Sequence, residues 1–288
     1  PESMAPVVFV LLWSTGFIVA RYGTRDAGPL TFLFVRMVVA SAVLWVWAAV
    51  TDAPRLSRRD VWWAAVAGLG LHAVYLGGVF VASDWDLPSG LSALIAGLHP
   101  VVTSVAALVL LGEQLTRRQW IGVGLGVGGV AAVVVDRLDA GVSGITAGAL
   151  IAMVVSVLGM AAGTLVQRAK GGTMPLLRGT AVQYASAAVA LGVGSIAYEG
   201  FEVQSTAQFW WSLAWAVGVL SIAAVLIMLW LLQRRAAVRV SSLFFLTPAL
   251  STVEGAILFG ERLGVLAVVG LAVALSGVAL VTLTPRSP

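Results

Sequence analysis

The chain has 288 residues, 60% of them hydrophobic and 10% charged, with a mean hydropathy of +1.00. A soluble domain of this size cannot hide that much apolar surface, so the composition specifies an integral membrane protein. The absence of cysteine excludes disulfides, thiolate-held metals and thiol chemistry, and the net charge of +4 reads as loop arginines that set orientation, not as affinity for nucleic acid.

The chain opens Pro1-Glu2-Ser3 and enters an apolar run almost at once, with no cleavable signal pattern. Ten apolar segments follow, each near the ~20 residues that cross a bilayer. They fall at roughly 6–23, 29–50, 61–83, 88–111, 117–135, 143–166, 176–198, 209–233, 239–259 and 263–283. Pro29, Pro88 and Pro175 stand where helices begin. With the N-terminus inside, the cytoplasmic loops hold Arg55, Arg58, Arg59, Arg117, Arg118, Arg168, Lys170, Arg178, Arg234, Arg235, Arg239 and Arg286. The outer loops hold only Arg21, Arg25, Arg137 and Arg262, and Arg36 is left inside a segment. This bias places both termini in the cytoplasm. No loop exceeds about a dozen residues, so none houses a nucleotide-binding domain, and Lys170, the sole lysine, follows no phosphate-cradling loop. Gly124, Gly126 and Gly129 spell G-x-G-x-x-G, but inside an apolar span, where they read as small residues that let helices approach closely.

The stretch Leu98 to Val133 recurs, 148 positions on, as Leu246 to Val281, with 12 of 36 positions identical and no gap. The matches include Pro100/Pro248, Gly112-Glu113/Gly260-Glu261, Leu115/Leu263, Gly122/Gly270 and Gly129/Gly277. Upstream, Trp62-Trp63 falls on Trp210-Trp211 at the same offset. Composition explains a shared proline and a shared Gly-Glu-x-Leu turn poorly, so the chain reads as a duplication with units at about 1–139 and 140–288. Five spans per unit is an odd number, so the second unit must be inverted relative to the first.

Ten spans in two inverted halves, with a proline in the fourth span, then Gly-Glu and a glycine-rich fifth span, resemble the drug/metabolite transporter superfamily. The tandem arrangement is similar to its EamA family, and the nearest likeness is to the YddG-type aromatic amino-acid exporters of bacterial inner membranes. The resemblance covers essentially the whole chain, and its motifs, Pro100…Gly112-Glu113 and Pro248…Gly260-Glu261, are specific for the family but not for a substrate. It implies an all-α basket of ten transmembrane helices around a central cavity, alternating access, and export of amino acids or similar metabolites. It also implies a structural role for Glu113 and Glu261, as caps on neighbouring helix N-termini.

Polar side chains inside a bilayer are costly and mark function, which singles out Arg36, His72, His99 and Glu254. His72 lies eleven residues from Val61, roughly 17 Å along its helix and near the midplane, with Tyr75 one turn further on the same face. A substrate site at the midplane is expected from His72 and Tyr75, with Trp13, Ser14 and His99 as further candidates; the competing reading of His72 is a buried histidine bonded to a backbone carbonyl. His99, before Pro100, equally suits a kink that shapes the cavity. Trp13 and Trp215 also suit packing, and Trp62, Trp63, Trp210, Trp211 and Trp230 suit interface anchoring. Met153 and Met160 read as packing. Arg36 and Glu254 lie at equal depth with opposite charge, so they are expected as a structural ion pair.

The expected function is therefore secondary transport of amino acids, aromatic ones first, by rocking of two halves about a midplane site, with no cofactor, metal, nucleic acid or ATPase subunit. The expected state is a monomer or weak dimer. A nucleotide-sugar or phosphate-ester exchanger would want several basic groups in the cavity, and only Arg36 is available. An intramembrane enzyme acting on lipid would want clustered carboxylates or histidines, and Glu254 stands alone. A channel would want rings of like polar groups, which do not recur between the halves.

Overall fold

Short polar side chains in the loops start several of the helices. Ser57 and Asp60 form a reciprocal capping box, and Thr146 and Thr206 each accept a hydrogen bond from the amide three residues on. The computed structural model describes residues 5–139, 141, 145–171, 174–224, 227, 246–260 and 264–283. Over these the helices are α1 (Ala5–Gly23), α2 (Pro29–Val50), α3 (Arg58–Gly68), α4 (Tyr75–Asp84), α5 (Ser89–Ala96) and α6 (His99–Leu111). They continue with α7 (Arg117–Asp139), α8 (Ala147–Lys170), α9 (Leu176–Tyr198), α10 (Ala207–Trp215), α11 (Leu246–Phe259) and α12 (Val265–Leu283). Among the described residues, extended pairing is limited to one bridge between Ala27 and Val203.

Seven helices are long and apolar enough to cross a membrane: Pro29–Val50, Arg58–Asp84, Ser89–Leu110, Arg117–Asp139, Ala147–Lys170, Leu176–Tyr198 and Val265–Leu283. Ala207–Ala223 is a shorter apolar helix. The ten expected spans thus reduce to seven that meet this criterion among the described residues. Much of the eighth and ninth expected spans, with Trp230, Arg234, Arg235 and Arg239, lies outside those residues, as do Glu261, Arg262 and Arg286. The expected fourth span, 88–111, is broken: α5 ends at Ala96, and α6 begins at His99 with Pro100 in its first turn, where a missing amide costs nothing.

Two helices contain π-helical stretches. Leu69–Val74 joins α3 to α4, and Ala216–Ala223 continues α10. Shifted by the repeat offset of 148, the first stretch falls at 217–222, inside the second. Wider turns of this kind often sit at functional sites.

Repeat-related helices pack against each other. A Cβ on Gly122 would lie 2.6 Å from the Gly277 carbonyl oxygen, and one on Gly277 would lie 2.5 Å from that of Gly122. The same reciprocity holds for Gly129 and Gly270, at 2.5 and 2.8 Å. Since 122 pairs with 277 and 129 with 270, α7 and α12 run antiparallel, and only glycine permits so close an approach. Gly126 joins this seam, whereas Gly124 faces open space, so two of the three glycines of the G-x-G-x-x-G run serve packing here.

The α2–α9 pair is also antiparallel and is fastened at both ends. The Glu199 carboxylate accepts hydrogen bonds from the amides of Leu30 (2.9 Å) and Thr31 (2.8 Å), at the electropositive start of α2. At the other end Arg178 Nε donates to the Ala53 carbonyl at 3.0 Å, just beyond the last turn of α2. Elsewhere, Phe32 of α2 stacks on Phe80 of α4 and meets Phe209 of α10 edge-on, with centroids 5.6 and 5.8 Å apart. Glu113, expected to cap a helix, pairs with Arg168 in the last turn of α8 at 2.6 Å. Trp62, Trp210 and Trp211 are exposed, as interface anchors would be, and Met153 is fully buried as packing.

Candidate functional site

Both π-helical stretches deliver a polar side chain to one cluster between α2 and α9. Arg36 of α2 is 6% exposed, and its Nε donates to Ser221 Oγ at 3.1 Å. Ser221 belongs to the second π-helical stretch. The Ser221 carbonyl in turn accepts the Tyr184 hydroxyl of α9 at 3.2 Å. Tyr184 packs edge-to-face on His72, centroids 4.7 Å apart, and His72 belongs to the first π-helical stretch. His72 Nε2 lies 3.3 Å from Gln183 Oε1, and Gln183 Nε2 donates to Gln167 Oε1 of α8 at 2.8 Å.

The cluster therefore holds one guanidinium whose terminal nitrogens have no hydrogen-bond partner among the described residues. Beside it stand the ring of Tyr184 and, packed on that, the ring of His72. A guanidinium in low dielectric with free terminal donors is suited to a carboxylate, and the rings offer flat apolar surface beside it. Among the described residues no group of three His, Asp or Glu side chains could hold a metal ion.

Of the residues singled out from the sequence, His72 and Arg36 enter one chain of contacts through Tyr184 and Ser221, while Tyr75 is buried one turn on from His72 and its carbonyl accepts from Ser156 Oγ at 2.7 Å. His72 is bonded to a glutamine side chain, not to a backbone carbonyl. Ser14 and Glu254 lie elsewhere in the bonding pattern. Ser14 Oγ donates to Glu254 Oε1 at 2.6 Å, and Ser251 Oγ donates to the Ser14 carbonyl at 3.1 Å, tying α1 to α11. The expected Arg36–Glu254 pair does not form: equal depth left azimuth open, and each charge faces a different helix and a serine of its own. His99 heads α6 and is half-buried, as is Trp13. Trp215 Nε1 donates to Thr15 Oγ1 at 3.0 Å, which makes its role a packing contact between α10 and α1.

Gln183, Tyr184 and Ser221 were not anticipated. Gln183 and Tyr184 are adjacent polar residues inside an apolar span and could have been picked out on cost alone. Ser221 in an apolar run carries no comparable signal, since serine back-bonds within helices freely.

The EamA-like transporter family matches residues 4–135 and 147–283, which together are nearly the whole chain. The chain belongs to the EamA-like transporter family. The two EamA stretches divide where the sequence repeat divides, between α7 and α8. Over 273 residues the chain is 26% identical to an uncharacterized transporter, YvbV, of Bacillus subtilis (strain 168), covering 94% of this chain and 88% of the relative. Over 120 residues it is 28% identical to an uncharacterized inner membrane transporter, YedA, of Escherichia coli (strain K12), 42% of this chain and 39% of the relative. A third relative, named "Probable terminal-alkyne amino-acid exporter", from Streptantibioticus cattleyicolor, is 28% identical over 134 residues, 46% of this chain and 44% of the relative. The matches to YedA and to the exporter thus span less than half of those proteins' length. A solved crystal structure superposes with a TM-score of 0.66 at 19% identity, covering 97% of this chain and 96% of that one, so the EamA chain shares its fold. Its seven apolar helices make it a multi-pass membrane protein.

Proposed function

We propose that this EamA protein is a secondary transporter of an inner membrane that exports amino acids, aromatic ones first, by alternating access. The observation that carries the reading is the meeting of Arg36, His72 and Ser221 between the two π-helical stretches, one from each half. Arg36 would take the substrate carboxylate, and His72, Tyr75 and Tyr184 would wall the ring. The relative named as an amino-acid exporter supports the substrate class. A polyanionic phosphate ester would meet a single guanidinium, too little charge for its oxygens.

The machine would be two inverted five-helix halves with both termini cytoplasmic. The antiparallel, reciprocal contacts of α7 with α12 support that inversion, because the repeat offset maps the Gly122–Gly277 contact onto the Gly270–Gly129 contact. Ser14 and Glu254, bonded to each other, would form a second polar locus on the α1–α11 side, with Trp13 and His99 nearer the cavity rim.

The test is uptake of labelled phenylalanine into liposomes holding the purified protein, with and without a pH gradient. Saturable uptake that falls at least about tenfold in Arg36→Gln, with normal amounts of folded protein, is the expected result. Uptake of nucleotide sugars or phosphate esters in place of amino acids would overturn it.

A further inference from the structure

We propose that Gln183, anchored by Gln167, locks neutral His72 as its Nε2–H tautomer, so that His72 Nδ1 serves as the acceptor for the ammonium group of a zwitterionic substrate. This rests on the reading of the Arg36 cluster as the substrate site, and it names a positioning residue that the sequence did not single out.

An amide side chain has a donor end and an acceptor end. Gln183 spends its Nε2 donor on Gln167 Oε1 at 2.8 Å. Its Oε1 is therefore the end that faces His72, 3.3 Å from Nε2. An oxygen acceptor demands that Nε2 carry the hydrogen. A neutral imidazole has one N–H and one bare nitrogen, so Nδ1 must be the bare one. Nδ1 has no hydrogen-bond partner among the described residues.

Two ends of recognition then differ in chemistry. Arg36 can only donate, and its fixed positive charge selects a carboxylate. His72 Nδ1 can only accept, and it selects an N–H or O–H. The two groups are joined through Ser221 and Tyr184. An α-amino acid carries both complements on one carbon. A carboxylic acid without the amine would satisfy Arg36 and strand Nδ1, while an amine without the carboxylate would strand the guanidinium. Left in the opposite tautomer, His72 would present Nδ1–H and repel an ammonium.

The protein has two histidines, so histidine-selective ¹⁵N labelling of the intact protein gives few signals, and His99→Gln assigns them. The expected spectrum of His72 has the proton on Nε2 and a bare Nδ1, with the Nδ1 resonance shifting on addition of phenylalanine but not of phenylpropionate, which lacks the amine. Gln183→Leu should populate the other tautomer and reduce the preference for phenylalanine over phenylpropionate by about tenfold. Should that variant fold poorly, Gln167→Leu releases the same lock one step back and should also mix the tautomers. A proton on Nδ1 in the wild-type protein overturns the proposal. So does an Nδ1 signal that ignores phenylalanine while phenylalanine is transported. If phenylalanine is neither bound nor transported although the tautomer is as expected, the substrate-site reading fails, and the ammonium contact fails with it.

Discussion

Ser14 Oγ donates to Glu254 Oε1 at 2.6 Å, joining α1 to α11 through a carboxylate that the sequence had paired with Arg36. The second oxygen, Oε2, is buried without a partner among the described residues. Arg36→Glu combined with Glu254→Arg should therefore give no more folded protein than either single variant, measured by size-exclusion yield in detergent. Glu254→Gln should keep the bond, because an amide oxygen still accepts from Ser14, whereas Glu254→Leu should cost about 1–2 kcal/mol. Rescue by the double swap would restore the ion pair as the correct description.

Ser221 holds Arg36 through Nε at 3.1 Å, and the terminal nitrogens have no hydrogen-bond partner among the described residues. Arg36→Lys should lose nearly as much phenylalanine flux as Arg36→Gln, because a lysine cannot hold the serine and form a forked contact together. Ser221→Ala should cost only a few-fold. Initial rates in proteoliposomes, normalised to reconstituted protein, decide this.

Glu199 accepts the amides of Leu30 and Thr31, and also the Thr31 hydroxyl at 2.7 Å. Glu199→Ala should destabilise the protein by about 1–3 kcal/mol, seen as a lower unfolding midpoint in detergent, and Glu199→Gln by less. An unchanged midpoint in Glu199→Ala would mean that water satisfies this helix end equally well.

The reciprocal glycine contacts of α7 and α12 predict a steric asymmetry along α7. Gly129→Leu should lower stability by about 2 kcal/mol or more, while Gly124→Leu, facing open space, should be tolerated. Comparable losses at both positions would argue against the seam.

The proposed inverted topology predicts opposite labelling of two introduced cysteines in a chain that has none. Ser57→Cys should react only from the cytoplasmic side, and Gln204→Cys only from outside. Reaction of both from one face would sink the inversion.

Hydropathy made the all-helical, membrane-spanning character legible, because apolar length is written directly in residue order, and seven of the apolar segments are helices long enough to span among the described residues. Arg36 and His72 stood out from the sequence, Arg36 as half of an ion pair and His72 as a site candidate, since polarity inside an apolar span is visible without coordinates. The partners were not legible. Whether Arg36 meets Glu254 or Ser221 depends on the rotation of each helix about its own axis, which depth and charge do not encode. The π-helical stretches were also invisible. Leu69–Val74 and Ala216–Ala223 contain nothing in composition that distinguishes them from α-helix, yet they bring His72 and Ser221 to the cluster.

The fastening of α2 to α9 at both ends has a mechanical consequence. Sliding one helix past the other by a single turn, about 5.4 Å, would strip the carboxylate of Glu199 from two amides and the guanidinium of Arg178 from its carbonyl together. The pair thus acts as an axle of fixed length: it permits roll but forbids axial slip. In the proposed alternating-access cycle, whatever exposes Arg36 to one side of the membrane and then the other would pivot about this axle.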